Sequence, residues 1–247
     1  MPKQNTAPTH VIWAETAVPF NLSADPIMRQ MISAIVPHKG LLITGAPRIE
    51  ISENIEPRLY NSIYALDETG NIKASYDKQH LVPFGEYVPM PWLFRLSKLT
   101  DGRIDFHPGK TEPLVNLTGL PPAAMLICYE IIFPKLTQSS DDKTNLIVNI
   151  SEDAWFGNSI GPYQHFTKAI FRSVENNTYL ARSANKGISA FINNNGETIK
   201  RLEPNETGNI ELDVPLIENN RKNKNDLIFF VLLFTYLFIF LIFKNKN

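Results

Sequence analysis

Disulfides are excluded at once, because this 247-residue chain has a single cysteine, Cys128. A free cysteine is most often a small buried hydrophobe, so a chemical role for this one has to come from the residues around it. A basic surplus is missing too: 24 Lys and Arg stand against 25 Asp and Glu, for a net charge of −1, and nucleic acid is not an expected partner. The five histidines and the cysteine show no zinc-like spacing, so no structural metal is expected. Met1 to His10 is polar and no apolar stretch follows it, so no secretory signal is read there.

Hydrophobic residues make up 43% of the chain and charged ones 20%, enough apolar content for one substantial core. Composition breaks near the end. Polar, basic Asn219 to Asp226 gives way to Leu227 to Phe243, where 15 of 17 residues are Leu, Ile, Phe or Val. Seventeen helical residues extend about 26 Å, within the accepted range for a bilayer span, so a transmembrane helix is expected over 227–243. The expected domains are a catalytic unit over 9–216, a polar linker over 217–226 and that helix.

Short apolar runs bounded by turn residues read as strands at His10 to Trp13, Gly40 to Thr44, Tyr60 to Leu66, Ala123 to Ile127, Leu146 to Ile150 and Gly187 to Ile192. Asn61 to Tyr76, with Asp67-Glu68-Thr69-Gly70-Asn71 in its middle, reads as a β-hairpin. Helical periodicity covers Asp25 to Val36, with Ile27, Met31 and Ile35 on one face, and Tyr163 to Ala184. Strands and helices mixed in this way predict a layered α/β domain.

Three separated segments carry groups suited to acyl chemistry on a thiol. That chemistry needs a nucleophile, a base to take its proton, and a positive charge where an oxyanion forms. Glu15 lies just past the first strand, Lys78 ends the hairpin, and Cys128 closes the apolar run Ala123 to Ile127. An unperturbed thiol has a pKa of about 8.5, so a neighbour has to raise its thiolate fraction at neutral pH. Taken singly, each Glu or Lys reads more readily as a solvated surface group.

Together, in order and spacing, these residues resemble the Glu-Lys-Cys triad of the nitrilase (carbon–nitrogen hydrolase) superfamily. His80-Leu81-Val82-Pro83-Phe84-Gly85-Glu86-Tyr87-Val88-Pro89, Cys128-Tyr129-Glu130, Asp153-Ala154-Trp155-Phe156-Gly157 and Gly161-Pro162-Tyr163-Gln164-His165 narrow the likeness to its apolipoprotein N-acyltransferase branch. The resemblance implies a nitrilase-like α-β-β-α sandwich followed by one C-terminal transmembrane helix. It further implies Glu15 as base, Lys78 as the charge stabilising thiolate and oxyanion, Cys128 as nucleophile and the backbone N–H of Tyr129 as an oxyanion donor. Glu86 and Glu130 are supporting candidates that orient Lys78 or tune Cys128. Trp92, Leu93 and Phe94 form a candidate lid or ordinary core packing, whereas Arg172, Glu175 and Arg182 to Gly187 read as structural support.

The implied partners are a phospholipid acyl donor, an apolipoprotein acceptor and the bacterial inner membrane, with the catalytic domain on the periplasmic side and no cofactor. Against the family pattern, Glu152 stands where asparagine is usual and adds a carboxylate near the expected site. The family's N-terminal transmembrane helices have no counterpart here, so a separately encoded membrane half is a further expected partner. Two other readings stay open: an amidase acting on a small C–N substrate, and an inactive membrane-anchored remnant.

Overall fold

A computed structural model of the chain describes residues 9–52, 55–89, 105–137, 144–215, 217 and 226–244. Two sheets make up the described domain. The first has the order β1 (His10–Ile12), β2 (Leu41–Ser52), β3 (Ile55–Leu66) and β4 (Ile72–Asp77), with β1 parallel to β2 and the other pairs antiparallel. The second contains β5 (Leu114–Leu117), β6 (Leu120–Ile127), β7 (Leu146–Glu152), β8 (Tyr179–Asn185), β9 (Ser189–Ile192) and β10 (Thr198–Leu202), with neighbours consecutive in sequence. Its centre, β6-β7-β8, is parallel.

Side-chain alternation explains the layering. Along β6, Ala123, Met125 and Ile127 face inward onto Ile43, Ile63 and Tyr76 of the first sheet. Their neighbours Ala124 and Leu126 face outward, onto Phe166 and Ala169 of α2 (Gly161–Asn176), the second α-helix after α1 (Pro26–Ser33). On the far side of the first sheet, Leu42, Tyr64 and Leu66 pack against Val18, Leu22 and Val36, with Met28 and Ile32 of α1 against them. The layers therefore run helix, sheet, sheet, helix. Burial on both faces is why the central strands read as continuous apolar runs instead of alternating ones.

The hairpin is where the sequence places it, with β3 and β4 meeting from Ser62↔Asp77 to Leu66↔Ile72. Two helical expectations change. The pattern over Tyr163 to Ala184 is a helix only as far as Asn176; Asn177 adopts φ 46° and its N–H caps the carbonyls of Ser173 and Val174. Chain reversal there lets Tyr179–Asn185 join the second sheet as β8. In α1 the expected face is turned outward: Ile27, Met31 and Ile35 are exposed, and Met28, Ile32 and Ser33 point inward. Arg29 fixes that rotation by donating to the carbonyls of Gly70, 2.9 Å away, and Leu22.

The C-terminal run does form a helix, α3 (Asp226–Lys244), of 19 residues. Its continuously described side chains cover 229–241, about 20 Å at ~1.5 Å per residue. Among the described residues no helix is long and apolar enough to cross a membrane, and a membrane span over 227–243 is not shown. The candidate lid Trp92, Leu93 and Phe94, and most of the linker over 217–226, lie outside the described residues.

Candidate functional site

The site lies where the two sheets end side by side. Glu15 sits in the loop after β1, held by bonds from the Trp13 N–H to the Ile43 carbonyl and from the Val18 N–H to the Gly45 carbonyl. Gly45 permits this approach, since a Cβ there would come within 2.8 Å of the Glu15 Cα. Lys78 follows β4 directly, and its N–H donates to the Asn61 carbonyl at 2.8 Å. Cys128 follows β6 at φ 49°, a left-handed conformation that turns the chain sharply into a 3-10 segment, Cys128–Ile132.

All three expected triad residues are buried. Lys78 Nζ is 3.7 Å from Glu15 Oε1 and 3.0 Å from each carboxylate oxygen of Glu86. Asn61 ties the two acids together, its Nδ2 donating to Glu15 Oε1 at 2.6 Å and to Glu86 Oε1 at 2.9 Å. The second Glu15 oxygen accepts from the Glu152 N–H at 2.7 Å. Glu86 is clamped in turn by the Val82 N–H, 2.8 Å from its Oε2. One ammonium thus faces two carboxylates in a largely buried cluster.

The electrostatics follow from that arrangement. Burial pushes the Glu15 carboxyl above the usual carboxylate range, against the opposing pull of Lys78 and Asn61. Burial works against the charge on Lys78, but Glu15, Cys128 and Glu86 outweigh it and hold the ammonium above its ordinary value. The Cys128 thiol is pushed up to about 12 by burial and by Glu15, with Lys78 and a hydrogen bond from Ser151 pulling the other way. At neutral pH the sulfur therefore rests as a thiol. It becomes nucleophilic only as its proton leaves, and Glu15, its carboxyl raised by burial and held by two hydrogen-bond donors, is a neighbouring group able to accept one.

The two supporting acids differ in kind. Glu86 contacts Lys78 directly. Glu130 does not: its Oε1 accepts from Tyr76 Oη at 2.7 Å and from the N–H groups of Gln79 at 2.7 Å and His80 at 3.2 Å, and its Oε2 accepts from the Ile127 N–H at 2.9 Å. It splices the backbone after Lys78 to the backbone before Cys128. Burial raises its carboxyl pKa in spite of these donors. Tyr129 is half-buried with its ring edge-on to Phe133, centroids 5.2 Å apart. Glu152, the unexpected carboxylate, turns away and binds the Ala154 N–H and Asn185 Nδ2.

Sequence reasoning missed Asn61, read only as the start of a hairpin, and a second charged cluster beside Cys128. Asp153, His165 and Arg182 are all buried; Arg182 Nη2 is 2.7 Å from Asp153 Oδ2, and His165 Nδ1 is 3.0 Å from Asp153 Oδ1. Cys128, Asp153 and His165 bring donor atoms within 4.8 Å of one another, which are metal-ligating types. Arg182, close to both Asp153 and the His165 ring, already supplies the positive charge here, so the group is an ion-pair network and not a cation cradle. A cavity of about 670 Å³ opens beside the site, lined by Leu81, Pro83, Phe106, Tyr129, Phe133 and polar Gln79 among others.

Residues 10–221 match the family model of the carbon-nitrogen hydrolases. The chain belongs to that family. It is homologous to apolipoprotein N-acyltransferases, being 42% identical over 213 residues to that of Allorhizobium ampelinum and 36% identical over 213 residues to that of Rickettsia prowazekii. These alignments cover 84% and 86% of this chain and 40% and 43% of those proteins, so the chain spans about two-fifths of the length of the curated relatives it matches. Among solved structures, a cysteine-to-alanine mutant of an amidase from Nesterenkonia AN1 superposes with a TM-score of 0.56 at 18% identity, covering 79% of this chain and 74% of the amidase. Another mutant of that amidase shows the acetamide moiety of fluoroacetamide covalently added at its active-site cysteine. The nitrilase-like sandwich is thus common to chains of very different sequence.

Proposed function

We propose that the chain carries the catalytic centre of an N-acyltransferase that moves a fatty acyl group from a phospholipid, through Cys128, to the N-terminal amine of an apolipoprotein. The observation that carries this reading is the convergence of buried Glu15, Lys78 and Cys128 in a chain 42% identical to an apolipoprotein N-acyltransferase. In the first half-reaction Cys128 Sγ attacks the ester carbonyl as its proton passes to Glu15. Lys78 and the Tyr129 N–H stabilise the oxyanion, the C–O bond breaks, and the lysophospholipid leaves with the proton from Glu15. In the second, the acceptor amine attacks the thioester, the C–S bond breaks as the amide forms, and the amine's proton returns to the sulfur.

Two features support a lipid substrate. The apolar wall of the neighbouring cavity, from Leu81 to Phe133, suits an acyl chain. Helix α3 exposes Phe229, Leu232, Phe234, Phe238 and Leu241 to solvent, and such a surface is stable only against lipid or protein. We read it as a membrane contact at the inner membrane, with the catalytic domain on the periplasmic side.

The test is intact-mass analysis of the full chain after incubation with phospholipid vesicles, alone and with the N-terminal membrane segment of a relative co-expressed. An added acyl mass, removed by hydroxylamine and absent from Cys128→Ala, is the expected result. A folded chain that gains no acyl group in either preparation overturns the reading. Ammonia release from simple amides, lost in Cys128→Ala, would instead identify an amidase.

A further inference from the structure

The triad does not account for every group held against the nucleophile. His165, carried by α2, places Nε2 3.1 Å from the carbonyl oxygen of Cys128 itself. A carbonyl can only accept, so Nε2 carries the proton. The opposite ring nitrogen is then an acceptor and takes a bond from Arg182 Nη2 at 3.1 Å, the same guanidinium nitrogen that holds Asp153, whose Oδ1 lies 3.0 Å from the ring. Asp153 is fixed by Arg182 and by the Ser151 hydroxyl, 2.6 Å from its Oδ1. Arg182 is anchored further by its Nε on the Ile188 carbonyl at 3.1 Å and by Asn149. Every donor and acceptor on the ring is engaged, so the ring cannot turn without breaking bonds in a buried network.

The residue held by this bracket is strained. Cys128 has φ 49°, a region that L residues other than glycine, asparagine and aspartate rarely occupy, and such outliers persist only where surroundings over-determine them. The carbonyl bonded by His165 belongs to the strained residue. We propose that His165, oriented by Asp153 and Arg182, is a positioning residue for the nucleophile: its Nε2–H bond fixes the Cys128 peptide and so aims the sulfur between Glu15 and Lys78. The idea rests on Cys128 being reactive and not on the identity of the acyl donor.

The experiment measures alkylation of Cys128 by iodoacetamide across pH in the full chain in detergent, so it stands whether or not lipid is a substrate. The charged or titratable groups facing the sulfur are Glu15, Lys78 and Asp153, with His165 and Arg182 behind Asp153; Glu86 and Glu130 lie one contact further out. His165→Gln retains a donor near the Nε2 position and is expected to alkylate within about threefold of the wild type, whereas His165→Phe, which fills the space without a donor, slows at least about tenfold at equal folded fraction. Equal losses in the two variants, or a wild-type rate in folded His165→Phe, overturn the proposal. In the unsubstituted chain, ¹⁵N spectra of the histidines provide a check that needs no variant. His165 is expected as the Nε2–H tautomer at neutral pH, and an Nδ1–H tautomer overturns the proposal.

Discussion

Replacing Asn61 with leucine removes a neutral group that binds both acids of the site while nearly conserving shape. Asn61 Nδ2 is 2.6 Å from Glu15 and 2.9 Å from Glu86. A hydrogen bond to a charged group contributes about 1.5–3 kcal/mol, and about 1.4 kcal/mol is a factor of ten, so losing the Glu15 bond strengthens proton binding to that already raised carboxyl by about ten- to a hundredfold. If Glu15 takes the proton from Cys128, the acid limb of the pH–rate profile for Cys128 acylation or alkylation moves to higher pH. Stability changes in a defined direction as well. Glu15 has a folded pKa above its unfolded one, so its contribution is fully present below the unfolded pKa and is lost as pH rises through the folded pKa. Asn61→Leu widens that gap, and its destabilisation, about 2–4 kcal/mol after the gain from burying leucine, is larger at pH 8 than at pH 5. Urea titrations at both pH values and a pH series of alkylation rates measure the two effects. A folded variant whose acid limb stays in place, or shifts downward, would refute Glu15 as the acceptor of the thiol proton.

Asp153 has the opposite sign. Burial raises the Asp153 carboxyl, but the neighbouring His165, the charge of Arg182 and the hydrogen bond from Ser151 outweigh it and hold it down to about 2, against an ordinary 3.8. Its contribution, about 2 kcal/mol, is present above pH 4 and lost as pH falls through the folded value. Denaturant titrations between pH 5 and pH 2 should show that loss in the wild type and lack it in Asp153→Asn. Gly187→Ala attacks the same carboxylate sterically, since a Cβ there would lie 2.1 Å from Asp153 Oδ2. A destabilisation of about 1–3 kcal/mol from overpacking is expected, with slower Cys128 alkylation at equal folded fraction; thermal melts and alkylation rates check it. Lys78→Met leaves Glu15 and Glu86 facing each other without a counter-charge, so a loss of about 3–5 kcal/mol, partly recovered at low pH as a carboxyl protonates, should appear in urea titrations.

The sandwich was legible where burial wrote a simple pattern. The run Ala123 to Ile127 is apolar at every position because one set of side chains meets the first sheet and the other meets α2. Boundaries were less legible: the apolar spacing of α2 continues into Tyr179, Leu180 and Ala181, and only the left-handed Asn177 reveals that the same alternation has passed from helix to strand. The outward turn of Ile27, Met31 and Ile35 depends on Arg29 reaching the carbonyl of Gly70, a contact 41 residues away that local periodicity cannot contain.

The same distinction runs through the site. Glu15, Lys78 and Cys128 follow strands, and their order and spacing are a one-dimensional signal. Asn61 and His165 act through partners 46 and 37 residues distant, in bonds that exist only once β3 lies beside the Glu15 loop and α2 covers the end of β6. A polar side chain in mid-strand or mid-helix has no local mark separating a solvated role from a buried one; that difference resides in the cost of leaving it unpaired once desolvated. The hidden members of a buried site are therefore those that satisfy the charges of the visible ones. For this chain, Asn61 meets Glu15 and Glu86, whereas His165, with Asp153 and Arg182 behind it, meets the backbone of Cys128, so the two sets of bonds hold different members of the site.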